Sequence, residues 1–294
     1  PQALKEASEV EERDGAGLTI DGVDFEFLQD YENQFALFVE DGGSLVLEEA
    51  IVWSEQPLLV IMGEGTSLHV SSQSQLWATL LLQGDVTVTI EDSLLNGGMV
   101  GSATRVTLRG SEVTGGIDLS GGALDVEGCT VSSVDTAVLT ALDGVLVNTM
   151  FVGPVEISMS LWDGARVELR NVTCQQVDTD GSSTALVFRR VEVLVEDEST
   201  LVVPRATITI EHYINGTVMA SATGGEDGKA LIEVLSDVLQ AGESHFIGNY
   251  LIRSEFSGNE GTEPLLLTPF PSMDGDANLP SATVVIPPVD PRDL

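Results

Sequence analysis

One eight-residue pattern recurs between residues 18 and 174 of the chain. Its first, third and eighth positions are apolar and its sixth is mostly small or apolar, as in "LDVEGCTV" at Leu124–Val131. The copies begin at Leu18, Leu45, Leu68, Val88, Val106, Leu124, Val145 and Val167. The copy at Leu68 is imperfect, because Gln75 takes its last apolar position and Leu76 follows. Self-similarity of this kind predicts a repeat architecture.

The residue types within the pattern predict a strand, a tight bend and a second strand. Alternation at the first three positions has the period of a β-strand. The fifth position often holds a residue that tolerates the left-handed backbone conformation: Gly22, Asp92, Gly110, Gly128 and Asn171. Glycine precedes most copies and marks a second corner, where a loop of variable length fits. Each copy therefore predicts one coil of a parallel β-helix, with strands of neighbouring coils about 4.8 Å apart.

An antiparallel sandwich is the competing interpretation, since it also contains short alternating strands. It does not explain why one two-strand unit recurs in register. A ninth copy, Leu201–Ile208, follows after a longer gap. We therefore predict an all-β chain with a parallel β-helix of about eight or nine coils over residues 15–203. The coil pattern resembles the right-handed parallel β-helix superfamily, with its pectate-lyase-like fold. This resemblance implies the fold and its handedness, and it implies no activity.

The flanking segments have a different character. Residues 1–14 are acidic and predict either an N-terminal cap over the open end of the helix or a leader. Residues 204–270 predict a small antiparallel β-sandwich, in which Asn215-Gly216 forms a two-residue hairpin turn. The order "EDGKA…GNY" resembles the transthyretin-like or immunoglobulin-like modules of bacterial and archaeal surface proteins. Residues 271–294 are rich in proline and predict a linker or tail.

Charge narrows the range of partners. The chain has 47 acidic and 12 basic residues, a net charge of −35. Nucleic acid and anionic lipid surfaces would repel it, so we expect no nucleic-acid partner. No apolar run approaches the ~18 residues of a transmembrane helix. An acidic surface suits a saline exterior or one rich in divalent cations, and general solubility explains it equally well. We expect an extracellular or cell-surface location.

The two cysteines, Cys129 and Cys174, lie two coils apart in the predicted register. Two coils separate them by about 9–10 Å along the axis, which is too far for a disulfide. We predict two free, buried thiols that serve as small core residues.

One cluster of charges has the composition of a polysaccharide lyase or hydrolase site. Such sites need carboxylates beside an arginine on one outer face. Arg109 lies one coil before Glu127 in the same outward column, and Asp125 occupies a neighbouring slot. A solvated ladder of stacked charges would give the same pattern. The three histidines, His69, His212 and His245, lack metal-ligand spacing.

Calcium and glycans are the remaining candidate ligands and modifications. In "MDGDANLP", Asp274, Asp276 and Asn278 alternate as at the start of a calcium loop, although the expected glycine and later acid are missing. A flexible polar linker is the alternative. The segment "DTDGSS" at 178–183 has the same two interpretations, a calcium loop or a flexible polar segment. Asn171 and Asn215 begin glycosylation sequons, and both also fit their turns structurally.

These observations favour a non-catalytic structural or interaction module, part of a surface layer, filament, stalk or adhesin. Its partners would be further copies of itself or neighbouring surface proteins. One alternative is a carbohydrate-binding module, for which exposed aromatic platforms are needed and only Trp53, Trp77 and Trp162 are available. The other is a polysaccharide lyase or hydrolase that acts on an outer face of the helix.

Overall fold

A computed structural model describes residues 2–4, 9–12, 15–31, 34–133, 135–153, 158–267, 269 and 280–289. All regular structure in these ranges is β-strand, which confirms the all-β prediction. Within the same ranges, no helix is long and apolar enough to cross a membrane. The chain divides into two compact units, Pro1–Ala185 with Gln240–Gly242 and Leu186–Leu239 with Glu243–Leu294.

The first unit is a parallel β-solenoid with three strands in each coil. Its strands are β1 (Gln2–Leu4), β2 (Glu9–Glu12), β3 (Gly17–Asp21), β4 (Asp24–Phe27), β5 (Ala36–Val39), β6 (Ser44–Glu48), β7 (Ile51–Ser54), β8 (Leu59–Met62), β9 (Ser67–Ser71), β10 (Gln75–Leu76), β11 (Thr79–Leu82), β12 (Thr87–Glu91), β13 (Leu94–Leu95), β14 (Met99–Ser102), β15 (Arg105–Arg109), β16 (Glu112–Val113), β17 (Ile117–Ser120), β18 (Ala123–Glu127), β19 (Thr130–Ser132), β20 (Ala137–Thr140), β21 (Asp143–Val147), β22 (Met150–Val152), β23 (Met159–Trp162), β24 (Arg166–Arg170) and β25 (Val177–Thr179).

Every third strand belongs to the same sheet. The first sheet runs from β1 through β4 to β22, the second from β2 through β5 to β23 and β25, and the third from β3 through β6 to β24. Neighbouring strands within each sheet pair in parallel. The eight strands from β3 to β24 are separated by seven steps, which makes about seven turns. The predicted parallel β-helix is therefore confirmed.

Aliphatic ladders hold the coils together. In the third sheet, Leu47, Val70, Ile90, Leu108 and Val126 pair in register on successive coils, and each is at most 3% exposed. Burying one such side chain contributes about 1.5–3 kcal/mol. A slip of one residue would turn a whole strand's apolar side chains toward solvent, so this ladder fixes the register.

The bends confirm the prediction made for the fifth pattern position. Gly22, Asp92, Gly110, Gly128 and Asn171 have φ angles of 61°, 47°, 56°, 64° and 53°. Glycine, aspartate and asparagine enter this region at the lowest steric cost. The chain thereby turns from the third sheet into the next strand of the first sheet.

Two copies of the pattern have a different register from the predicted one. Leu124 pairs with Gly144 rather than with Val145, so the seventh copy begins one residue earlier. The pattern did not reveal this position, because glycine has no side chain to supply the apolar residue that it requires; Leu142 Cδ1 lies 3.4 Å from the site of a Cβ on Gly144.

In the third copy the bend is longer than predicted. Ser72 and Gln73 both have positive φ angles, of 60° and 64°. Leu76 therefore takes the apolar position that the pattern assigned to Gln75, and it pairs with Val52.

The predicted variable loop of each coil contains a further strand. For example, β8 and β11 pair in the second sheet, and Val60, Met62, Leu80 and Leu82 are buried there. Short strands between irregular corners do not repeat at a constant spacing, so the pattern did not reveal them. The predicted ninth copy is not a coil, because Thr207–His212 pairs antiparallel with its neighbours in the second unit.

At the other end, part of the segment predicted as a cap or leader belongs to the sheets. Gln2–Leu4 pairs in parallel with β4, and Glu9–Glu12 pairs in parallel with β5. These strands are too short for their alternation to stand out in an acidic sequence.

The second unit contains β26 (Thr184–Asp197) from Leu186 onward and the strands β27 (Thr207–His212), β28 (Val218–Thr223), β29 (Lys229–Gln240), β30 (Glu243–Phe246), β31 (Asn249–Phe256), β32 (Asn259–Leu266) and β33 (Ser281–Ile286). One antiparallel sheet has the order β28-β27-β31-β32, as expected for this region. Its inner residues, such as Ile210 and Ile252, form one core with Val193 and Val234 of β26 and β29.

Two details of this unit differ from the sequence-based expectations. Ser281–Ile286, within the segment predicted as a linker, pairs in parallel with β26 and buries Val284 and Ile286. The flanking prolines masked its alternation. The β27–β28 hairpin forms at Asn215-Gly216, but its loop exceeds two residues, since the His212 amide donates to the Thr217 carbonyl at 2.8 Å.

Candidate functional site

The predicted acid–arginine cluster lies on the outer face of the third sheet. Arg109 pairs in register with Glu91 on one side and with Glu127 on the other. Its Nη1 is 3.4 Å from Glu91 Oε1, and its Nε is 3.9 Å from Glu127 Oε2. Over these three coils the charges of the column alternate in sign, and the next position beyond Glu127 is the uncharged Val147.

Asp125 belongs to a neighbouring column and has a different partner. Its Oδ2 lies 2.5 Å from Nη1 of Arg105, on the preceding coil. Sequence reasoning missed Arg105 and Glu91, although both occupy outward slots of the same strands. Once the register is known, their positions follow directly from the alternation.

The chemistry of this face follows from its pairing and exposure. The side chains of Arg109, Glu127 and Asp125 are 58%, 63% and 41% exposed. Ion pairs with this exposure contribute about 0–1 kcal/mol each. Arg170, two coils beyond Glu127 in the same column, pairs with Glu168 at 2.8 Å. This last pair lies within one strand, whereas the pairs of Arg105 and Arg109 link neighbouring coils electrostatically.

A groove with two tryptophans lies at the corner between the first and second sheets. Trp53 is in β7, and Trp77 follows β10 directly. The Trp77 amide donates to the Val52 carbonyl at 2.9 Å, so the two tryptophans occupy equivalent positions on successive coils. The groove has a volume of about 540 Å³. The third tryptophan, Trp162, lies apart from it at the end of β23, where it pairs with Thr140.

Differences in corner length create this groove. Residues 55–58 connect β7 to β8, whereas only residues 77–78 connect β10 to β11 one coil later. The residues of the longer corner line the groove and form one of its walls. Gln29, only 8% exposed, holds this wall: its Nε2 donates to Ser54 Oγ at 2.8 Å and to the Gln56 carbonyl at 3.2 Å.

Gly97 lines the groove beyond Trp77, and buried Gly98 follows it. A Cβ on Gly97 would lie 2.1 Å from the Ala78 carbonyl oxygen, and one on Gly98 would lie 2.5 Å from the Gly116 carbonyl oxygen. Successive coils therefore approach each other closely at this corner, and no side chain rises from those two positions. The result is a smooth surface beside an exposed indole ring, since Trp77 is 39% exposed.

Hydrogen-bonding side chains complete the lining. Asn96 lies one coil beyond Trp77 and accepts a hydrogen bond from Thr114 Oγ1 at 2.6 Å. The Trp77 indole N–H donates to Gln75 Oε1 at 3.4 Å. Glu55, on the exposed corner, is the charged residue among those that line the groove.

Both cysteines are free and buried, as predicted. Burial raises the pKa of the Cys174 thiol to about 12. Burial also raises the pKa of Cys129, and this outweighs the opposing hydrogen bonds with the backbone of Ser111 and Glu127. Neither thiol is therefore prepared for nucleophilic chemistry.

The calcium candidates Asp274, Asp276 and Asn278 lie outside the described residues. In the second suspected loop, Asp180 accepts hydrogen bonds from the amides of Ser183 and Asp163 at 2.7 and 2.9 Å. Hydrogen bonding, chiefly from the Ser183 side chain, lowers the pKa of this carboxyl well below its ordinary value. Within the part of the chain that the structure describes, no three His, Cys, Asp or Glu side chains cluster as metal ligands.

The two sequon asparagines have different surroundings. Asn171 is half-buried in its bend, and its Nδ2 donates to Asn148 Oδ1 on the preceding coil at 2.8 Å. Asn215 is exposed in its hairpin loop, where its Oδ1 accepts from the Thr217 amide at 3.0 Å. Of the two, Asn215 offers the more accessible side chain.

Comparison with known proteins found no matching protein-family model and no curated protein of similar sequence.

Proposed function

We propose that the chain is a non-catalytic structural or interaction module of an extracellular or cell-surface protein, such as a surface layer, filament, stalk or adhesin. The observation that supports this proposal is the uninterrupted, in-register stack of eight third-sheet strands. Each coil packs on its neighbours, so stiffness and length arise from one repeated ladder. Ion pairs between coils, such as Arg109 with Glu91, reinforce the outer face.

The net charge of −35 supports a role for divalent cations in assembly. Acidic surfaces of two copies repel each other in water of low ionic strength. Ca²⁺ binds carboxylate oxygens and can bridge two such surfaces. Copies of this chain, or neighbouring surface proteins, would then associate in a calcium-dependent manner.

Electron microscopy and sizing chromatography, each with millimolar Ca²⁺ and with EDTA, test this proposal. We expect ordered polymers or sheets with Ca²⁺ and dissociation with EDTA. Assembly that persists in EDTA would contradict the proposed calcium bridge but would remain consistent with a structural role. A monomer under both conditions would contradict self-assembly.

Carbohydrate binding is the second candidate, and the groove with Trp53 and Trp77 favours it. Indole rings stack on the apolar faces of sugars, and amide side chains bond their hydroxyls. A lyase or hydrolase at Arg109, Asp125 and Glu127 would need these side chains to leave their ion pairs before they met a substrate.

A further inference from the structure

We infer that the Trp53–Trp77 groove is a binding site for a neutral glycan chain, one without carboxylate or sulfate groups. This inference rests on the second candidate function and assigns it a location and a ligand class. It is independent of whether the chain assembles.

Aromatic geometry is the first part of the argument. Equivalent positions on successive coils place Trp53 and Trp77 about 4.8 Å apart along the stack. Trp77 is 39% exposed and Trp53 is half-buried, so each indole leaves surface free on the groove side. An elongated ligand that runs along the corner would meet both rings.

The glycine beside Trp77 is the second part. Gly97, which lines the groove, leaves no room for a side chain, because its Cβ would lie 2.1 Å from the Ala78 carbonyl oxygen. A broad, flat ligand can therefore lie close to the backbone beside Trp77. A pyranose ring has this form, and its hydroxyls match the partly exposed Asn96 and Thr79 side chains that line the groove.

Charge selects among sugars. The net charge of −35 repels uronates and sulfated glycans. A second hollow, of about 520 Å³, shares Glu55 with the groove and also contains Glu26 and Asp30. An acidic glycan in the groove would approach Glu55 and lie beside a hollow with two further carboxylates, whereas a neutral one would not experience this repulsion.

A cationic ligand is the other chemistry that tryptophans and carboxylates attract. Glu55 lies at the exposed corner, and the polar part of the remaining lining consists of amides and hydroxyls such as Gln56 and Thr79. A quaternary ammonium group makes no use of these donors and acceptors. The lining therefore favours a hydroxyl-bearing neutral ligand.

Titration of the whole chain with soluble hexasaccharides tests the inference. The probes are neutral β-glucan, mannan and chitin hexamers, with hexagalacturonate and tetramethylammonium as comparisons, monitored by tryptophan fluorescence and calorimetry. We expect saturable binding of at least one neutral hexamer, weakened about tenfold or more by Trp77→Ala and by Trp53→Ala. Trp162→Ala, which removes a tryptophan that is 43% exposed outside the groove, should leave affinity within twofold.

Two further variants keep the result interpretable. Trp77→Phe retains a ring and should give an intermediate affinity, even if the alanine variant folds poorly. Glu55→Gln should abolish binding of a cation held by this carboxylate, whereas a neutral hexamer should still bind saturably to this variant.

The contrary outcomes are distinct. If no neutral hexamer binds, the inference is wrong. If the same preparation still assembles with Ca²⁺, the proposed structural function is unaffected by that result. Binding of tetramethylammonium alone would assign the groove to cations. Binding of hexagalacturonate that survives both tryptophan substitutions would move the site to the face around Arg109.

Discussion

Gly144 occupies an inward position that other coils fill with Leu or Val, and we expect Gly144→Ala to stabilise the solenoid. A Cβ at this position would lie 3.4 Å from Leu142 Cδ1, 3.5 Å from Val167 Cγ2 and 3.6 Å from the Leu124 carbonyl oxygen. These are ordinary van der Waals distances, so the methyl group fits without displacement of the backbone.

The magnitude follows from two contributions. Replacing glycine by alanine within a strand removes conformational freedom from the unfolded chain, which stabilises by about 0.4–1 kcal/mol where the backbone is compatible. Each new carbon contact at this distance adds about 0.1–0.2 kcal/mol. We therefore expect the free energy of unfolding to rise by about 0.5–1 kcal/mol and Tm by about 1–4 °C.

Gly101→Ala is the matched control, and its effect should have the opposite sign. Gly101 has a φ of 121°, and its Cβ would lie 2.0 Å from the Leu82 carbonyl oxygen. The strained backbone costs about 1–3 kcal/mol before the clash is counted. Urea unfolding followed by circular dichroism measures both variants. A lower midpoint for Gly144→Ala, or an unchanged one for Gly101→Ala, would refute the assigned register.

Three further predictions concern charge and thiols. Asp197 accepts amide hydrogen bonds, chiefly from Leu201, that lower its pKa. Its contribution to stability is therefore present above the unfolded pKa and is lost as pH falls through the lower, folded value. Asp197→Asn should lower the urea midpoint at pH 7, and the difference from the parent should shrink toward pH 2. Arg109→Glu places three carboxylates next to one another in one column. It should lower the free energy of unfolding by about 1 kcal/mol at low salt, and 1 M NaCl should restore most of this stability. Cys129 and Cys174 should resist a thiol reagent at pH 8 in the native protein and react fully in urea, whereas labelling of the native protein would contradict their burial.

The solenoid could be predicted from the sequence because its determinants are local. The alternation in "LDVEGCTV" and the left-handed residue at Gly128 or Asn171 can be read from eight consecutive letters. The second-sheet strands could not be found in this way, because corners of unequal length separate them from the repeated motif. The strand Ser281–Ile286 was not predicted because the part of β26 with which it pairs, Glu192–Asp197, lies about ninety residues earlier in the chain.

The equivalent positions of Trp53 and Trp77 in the groove could have been predicted from the sequence. Trp53 directly follows Val52, and Trp77 directly follows Leu76, so both occupy the position after the last apolar residue of their copies. Placing Gln75 in that apolar slot concealed the match. The wall formed by residues 55–58 could be found only in the structure, since the Gln29 side chain that bonds this corner comes from the preceding coil.

The in-register ladder also bears on how the gene tolerates the insertion or deletion of a whole coil. Val88 and Val106 are 18 residues apart in the sequence and occupy equivalent, paired positions on adjacent coils. A gene could lose or duplicate the codons for one complete coil, and the coils on either side would still meet an aliphatic neighbour that matches. The solenoid could thereby shorten or lengthen in increments of about 4.8 Å while its interior stayed the same.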